Sequence, residues 1–173
     1  KLTYNFKEIK NKIIIFQGIN SKNSIKKGNN YFIKAMEIIK KTYKEKVEYI
    51  EVQNLKYSDY IKSYNECHIF LDQVYAYDQG YNALEAMAKG KVVFTGAEKE
   101  WLEYYDLEEN SIVINALPDV NYLVEKLSIL IENPEKIKNI SLNARKFIEN
   151  YHSCDSVATS YEHKWLKAIN YEK

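Results

Sequence analysis

Five short runs rich in β-branched and aromatic residues alternate with helical patterns between residues 12 and 117, and this alternation constrains the fold more than any other feature. The runs are KIIIFQG (12–18), VEYIEVQ (47–53), HIFLDQV (68–74), KVVFTG (91–96) and SIVINAL (111–117). Most are near-continuous apolar stretches, the pattern of strands covered on both faces of a parallel sheet. Phe32, Met36, Ile39 and Tyr43 recur at spacings of three and four, which predicts an amphipathic helix over 29–45. Shorter helices are predicted over 58–67, 81–89 and 98–106. Beyond Pro118 the chain reads as helical. Asp119 can cap a helix carrying Leu123, Leu127 and Ile131, and Pro134 suits the first turn of the next. Val157, Tyr161, Trp165 and Ile169 mark a last helix over about 155–170. The expected architecture is α/β, a Rossmann-like doubly wound parallel sheet with a helical C-terminal tail, forming one domain over 1–173.

Charge and composition narrow the function. Lys plus Arg is 25 against 24 for Asp plus Glu, so nothing electrostatic argues for a nucleic-acid or membrane-surface partner. Cys67 and Cys154 are too few for a disulfide framework, and Cys67 adjoins an apolar run, which points to a buried reduced thiol and a cytoplasmic setting. No apolar run approaches the ~20 residues of a membrane span, and no signal peptide is visible. His68, His152 and His163 lack the spacing of metal ligands, so no metal is expected.

The five glycines are informative. Gly90 sits where a helix C-terminal cap needs no side chain. Gly18, Gly28, Gly80 and Gly96 fall where strands are expected to hand over to helices, and in an open parallel sheet those junctions line the ligand crevice. Glycine there lets backbone N–H groups approach a phosphate, and helix N-termini add partial positive charge. The turn after the first run, GINSKNSIKKG, is neither a dinucleotide-binding G-x-G-x-x-G nor a P-loop, which argues against dehydrogenases and P-loop hydrolases.

GINSKNSIKKG followed by a long helix, then LDQVYAYDQGYNALEAMAKGKVVFTG, then NPEKIKNISLNARKFIENYHS, resembles the C-terminal domain of GT-B glycosyltransferases. Within these it is most similar to the retaining family 4, the "glycosyl transferases group 1" set, whose mark is a helix opening of the form L-E-A-M-A-x-G-x-x-V. The resemblance covers almost the whole chain. It implies a domain that binds a nucleoside-diphosphate sugar for retaining hexosyl transfer to a glycan or lipid-linked acceptor, without a cofactor or bound metal. It also implies an N-terminal acceptor-binding domain, absent from this sequence, without which transfer should be slight. The wider setting it suggests is bacterial polysaccharide assembly, with the full enzyme at the inner membrane face.

Carried over by residue, the ribose-binding glutamate of the family falls on Glu85, and an ionised carboxylate can accept from two vicinal hydroxyls. The family's other glutamate falls on Tyr77, a departure; Asp78 and Gln79 follow it and complete the expected sugar contact. Gly80, Tyr81 and Asn82 occupy the helix opening that presents N–H groups to the diphosphate, and Gly18 belongs to the same phosphate set. The phosphate lysine matches Lys27. Its arginine partner falls on Ile19, leaving Lys22 as the nearest cation, one that lacks the bidentate fork. Gln53, Asn54 and Leu55 fall where family members read the base. Asp72 and Gln73 end the third run, where a buried carboxylate would need a partner. Tyr75, Tyr77 and Tyr81 could stack on sugar or base, or reflect a chain rich in tyrosine. The alternatives are a non-catalytic nucleotide-sugar-binding module and one half of a GT-B sugar-nucleotide epimerase. A response-regulator receiver is disfavoured because IIIFQGIN carries no acidic cluster.

Overall fold

A computed structural model describes residues 2–171; of the expected span, Lys1, Glu172 and Lys173 lie outside the described residues. After an irregular N-terminal segment, strand β1 (Ile13–Ile19) leads through a 3-10 turn (Ser21–Asn23) and a short helix α1 (Ser24–Lys27) into α2 (Asn29–Thr42). The chain continues as β2 (Val47–Gln53), α3 (Tyr57–Glu66), β3 (Ile69–Leu71), α4 (Tyr81–Ala88), β4 (Val92–Thr95), α5 (Lys99–Tyr105) and β5 (Ile114–Asn115). It closes with α6 (Val120–Glu132), α7 (Pro134–Tyr151) and α8 (Cys154–Tyr171).

The strands pair in parallel in the order β2–β1–β3–β4–β5, a doubly wound sheet as the strand-helix alternation predicts. From β1 the chain moves to one side of the sheet, and from β3 to the other. The carboxyl ends of β1 and β3 therefore flank a topological switch point, where the following loops part and leave a crevice.

Both faces are covered. Ile13, Ile15, Leu71 and Phe94 pack beneath α2 and α6, while Phe16, Phe70 and Val93 pack beneath α3, α4 and α7. Successive strand residues point to opposite faces, so the inner strands must be apolar almost throughout, while the edge strand β2 carries exposed Glu48 and Glu51. Helix α7 turns the corner: Ile137 and Ile140 join the first cluster, Ala144 and Phe147 the second.

Several boundaries differ from the sequence reading. The third run, expected over 68–74, is a strand only to Leu71. Asp72 N–H still bonds the Phe94 carbonyl at 3.0 Å, and then Val74 N–H turns away to the Lys27 carbonyl, also at 3.0 Å. The fifth shrinks from 111–117 to Ile114–Asn115. Helix α2 stops at Thr42, where Tyr43 leaves helical backbone at φ −116° and its N–H caps the Ile39 carbonyl. The sequence reading puts Gly18 where the first strand hands over to a helix; it lies within β1, paired with Val52, and the Tyr60 ring rests against its Cα.

Burial has a polar exception beside the crevice. Gln17 donates to the Asn29 carbonyl at 3.3 Å and accepts from the Tyr49 hydroxyl, but the fully buried Asn29 side-chain amide has no hydrogen-bond partner among the described residues. An unmade hydrogen bond costs more than a missing polar group. Asn29→Leu, close in volume, is expected to stabilise the chain by about 1 kcal/mol. A urea midpoint that stays put or falls would count against that reading.

The N-terminal segment straps across the amino edge of the sheet. Asn5 N–H donates to the Lys89 carbonyl at 2.9 Å, and the buried Lys91 ammonium reaches the Asn5 and Asn65 carbonyls at 3.0 and 2.7 Å. Arg145 holds the Leu2 and Ala88 carbonyls at 2.9 and 2.6 Å, and Tyr4 bonds Ser141 at 3.0 Å. His68, 3% exposed, accepts the Ile14 N–H on Nδ1 at 2.9 Å, and Phe6 meets its ring edge-on.

Candidate functional site

Two helices present their N-termini at the switch point. Gly28 adopts left-handed backbone, φ +66°, which lets the chain leave α1 and enter α2 in one step. Gly80 stands at the N-cap of α4. Neither glycine can offer a side-chain acceptor, so no side chain caps the first turn of either helix; in α2 the Tyr31 N–H turns back to the Gly28 carbonyl at 3.1 Å. The start of α6 differs, because Asp119 accepts from the N–H groups of Asn121 and Tyr122. Gly28 packs against Val74 and Tyr75, and the nearest side chain to Gly80 is Gln73, so the segment Gln73–Tyr75 joins the two N-termini. Aligned helix dipoles favour an anion there.

A cation stands beside them. The Lys27 ammonium lies 2.6 Å from Asp72 Oδ1, and Thr95 donates to the other carboxylate oxygen at 3.3 Å. The Asp72 side chain is 1% exposed and that of Lys27 is 26% exposed, so the charge pair is sealed on one side and open on the other. The buried carboxylate expected to need a partner has one, on the opposite side of the switch point.

The loop after β3 is clamped. The Ala76 carbonyl and the Asp78 amide press on the bare Cα of Gly96, and the Gln79 amide donates to the Gly96 carbonyl at 2.7 Å. Glu98 N–H bonds the Tyr77 carbonyl at 3.0 Å. This frame presents Tyr77 at 81% exposure and Tyr81 at 93%, with Asp78 also exposed. Tyr75 differs, since its ring meets Tyr31 edge-on at 6.0 Å.

Glu85 sits on α4 one turn beyond Tyr81, about 6 Å further along the axis. Its carboxylate pairs with Lys89 at 3.3 Å, and Lys89 in turn bonds Asn65 and lies 5.0 Å from the centre of the Tyr64 ring. Burial, and after it the Glu85 charge, push the Tyr64 phenol upward, so it stays a neutral donor to the Asn82 carbonyl at 3.4 Å. Glu85 lines a groove of about 390 Å³ with Tyr81, Leu84, Ala88, Ile148 and His152. Among the described residues its half-buried carboxylate is the one acid in that lining.

The remaining expected residues spread along the same edge. Asn54 takes left-handed backbone, φ +50°, and its Oδ1 accepts from the N–H and hydroxyl of Ser21 at 3.0 and 3.2 Å. Its own N–H bonds the Ile19 carbonyl at 2.9 Å, so Asn54 ties the loop after β2 to the loop after β1. Gln53 donates to Glu51, and Leu55 is exposed. Lys22 is exposed in the 3-10 turn, whereas Ile19, which stands in the family's arginine position, is buried at the end of β1.

The profile of a family described as glycosyl transferase-like matches residues 26–163, well over half of the chain. The chain belongs to that family. No curated protein matches it. Its fold is shared with the C-terminal domain of the glycosyl transferase group 1 protein LpcC from Francisella tularensis, at 19% identity and TM-score 0.63, over 88% of this chain and 97% of that one. A mutant of TarM from Staphylococcus aureus, solved in complex with ligands that include UDP, aligns at 15% identity and TM-score 0.65. That alignment takes in 96% of this chain but 38% of TarM. UDP-GlcNAc 2-epimerase from Neisseria meningitidis, solved with UDP-GlcNAc, aligns at 18% identity and TM-score 0.52, over 81% of this chain and 43% of that one. The chain thus spans less than half of these two larger proteins.

In this glycosyl transferase-like domain no three acidic, histidine or cysteine side chains among the described residues come together to hold a metal ion. No helix among the described residues is long and apolar enough to cross a membrane. Sequence reasoning overlooked Thr95 and Asn115. Thr95 supports Asp72, and Asn115 accepts the Ala97 N–H at 2.9 Å, fixing the loop after β4. Both end otherwise apolar strands, and that polar terminus is the signal that could have found them.

Proposed function

We propose that this domain binds a nucleoside-diphosphate sugar as the donor half of a retaining GT-B glycosyltransferase of family 4 type. The observation that carries the reading is the pair of N-termini at Gly28 and Gly80, bare of side-chain caps and linked by the segment Gln73–Tyr75, with Lys27 directly before the first of them. Diphosphate binds there, Glu85 accepts the ribose hydroxyls, and Asp78 and Gln79 with the Tyr77 ring face the sugar. The base lies against Leu55 and the neighbouring backbone. Neutralising the departing diphosphate is the domain's contribution to catalysis, through N–H groups and a lysine set in place beforehand. Leaving-group stabilisation of that kind calls for no nucleophile from this half, and the reading includes no metal.

The rest of the enzyme is an N-terminal acceptor-binding domain outside this sequence. Helix α8 is its docking element: Tyr161, Trp165, Leu166 and Ile169 are all exposed, a stripe that a finished protein would cover. Transfer to a glycan or lipid-linked acceptor at the cytoplasmic face of a bacterial membrane completes the proposal. The isolated domain binds donor with little turnover.

Calorimetric titration with UDP, GDP and their sugar conjugates tests this. One nucleotide should bind, and Glu85→Ala should weaken it by about 1.5–3 kcal/mol, the scale of a charged hydrogen bond. Undiminished binding by the variant would remove Glu85 from the site. The likeness to the epimerase supports a second reading, half of a sugar-nucleotide epimerase. Epimerised donor, with no glycan product, from the full-length protein would favour it. A non-catalytic module, suggested by Tyr77 and Ile19 in place of the family's residues, would show neither product.

A further inference from the structure

The Lys27–Asp72 pair bridges the switch point from one side to the other, and its geometry is unequal. Lys27 ends α1, in the connection between β1 and α2, Asp72 follows β3, and among the described residues no other charge pair joins the segments after those two strands. One Lys27 N–H is taken by Asp72 at 2.6 Å, and the ammonium has two further N–H bonds to offer from a side chain that stays 26% exposed. The carboxylate has no such freedom: one oxygen faces Lys27, the other accepts from Thr95, and the group is sealed from solvent. The Asp72 backbone is fixed by its bond to Phe94, and the Lys27 carbonyl by Val74 N–H.

From this we infer that Asp72 is a positioning residue for diphosphate recognition, anchoring the Lys27 ammonium at the mouth of the crevice; the inference rests on the donor-site reading above. A lysine on a free stem loses rotamer entropy when it grips an anion, and one anchored beforehand loses less. Anchoring also compensates for the buried Ile19, because with no arginine fork at that position and Lys22 exposed in the 3-10 turn, Lys27 is the cation to be held where the phosphates arrive. The consequence runs against simple charge counting. Asp72 is an acid beside an anion site, and removing its charge should weaken anion binding.

The test is titration of the wild-type chain, D72N, K27M and K27M–D72N with UDP and GDP, and in parallel with uridine and guanosine, which lack phosphates. Thermal unfolding establishes that each variant is folded. K27M alone strands a buried carboxylate, so the double variant supplies the comparison if K27M fails to fold. The expected result is that D72N binds the preferred nucleoside diphosphate at least 10-fold more weakly than wild type and binds its nucleoside unchanged. The double variant should be no weaker than the weaker single variant. Nucleoside-diphosphate binding by D72N as tight as wild type or tighter, or nucleoside binding lost in parallel, would overturn the positioning role while leaving the donor site standing. A wild-type chain that binds neither UDP nor GDP would instead overturn the donor reading, and this inference with it.

Discussion

Gly96→Ala is expected to destabilise the chain by about 3 kcal/mol, at the upper end of the usual cost of overpacking, and to abolish measurable nucleotide binding. An added Cβ would overlap the Ala76 carbonyl and come within 2.8 Å of the Asp78 amide nitrogen, and both are backbone atoms that no rotamer change can move. The loop would have to lift. Lifting breaks the Gln79 bond to the Gly96 carbonyl and the Glu98 bond to the Tyr77 carbonyl, which together hold Tyr77, Asp78 and the entry to α4. Gly80→Ala is the control. The nearest heavy atom to an added Cβ there is Gln73 Nε2 at 3.9 Å, and φ is −79°, so a methyl group fits without strain. Denaturant midpoints should separate the two variants clearly. Equal stability would mean that the loop does not depend on its contact with Gly96.

The second large effect is acid sensitivity centred on His68. Burial first, and then the nearby Lys91 charge, lower its pKa from 6.5 to about 4, against weaker opposing contributions from Glu66 and the backbone of Lys7 and Glu8. A ring nitrogen that accepts a hydrogen bond carries no proton. Protonating His68 therefore turns the Nδ1 acceptor of Ile14 N–H into a donor facing a donor, at the start of β1. The folded pKa lies below the unfolded one, so between pH 6.5 and about 4 the unfolded chain binds more protons and stability falls as pH falls. Across that window the loss is on the order of 3 kcal/mol. His68→Asn keeps an acceptor near the Nδ1 position but cannot titrate. Stability measured at intervals from pH 7 to about 4 should fall more steeply in wild type than in this variant. Parallel curves would assign the acid sensitivity to carboxylates elsewhere.

Much of the fold was legible because its determinants are local. A strand covered on both faces must be apolar at every position, so IIIF and VVF stand out without any tertiary information. Asp119 and Pro134 were equally readable, since a cap and a first-turn proline act within one turn of helix. The shortened third strand was not readable. Asp72, Gln73 and Val74 keep extended character in sequence, yet Val74 N–H turns to Lys27, 47 positions earlier in the chain. Gly18 misled for a similar reason: it looked like the end of a strand, whereas the Tyr60 ring from α3 explains why no side chain is present.

By itself, the sequence determined the doubly wound sheet, the family resemblance carried by LEAMAKG, and which residue types would gather at the strands' carboxyl edge. Periodicity and motif spacing are properties of neighbours along the chain, and they survive without a structure. Only the tertiary structure decided the pairings: Asp72 with Lys27, Gly96 with the Ala76–Asp78 backbone, and Asn54 with Ser21. These pairs join segments brought together by the parallel strand order, where a hydrogen bond of under 3 Å can form between residues 45 positions apart. Sequence distance carries no record of which carboxylate is sealed and which ammonium faces out, because burial is decided by every element that packs around the pair.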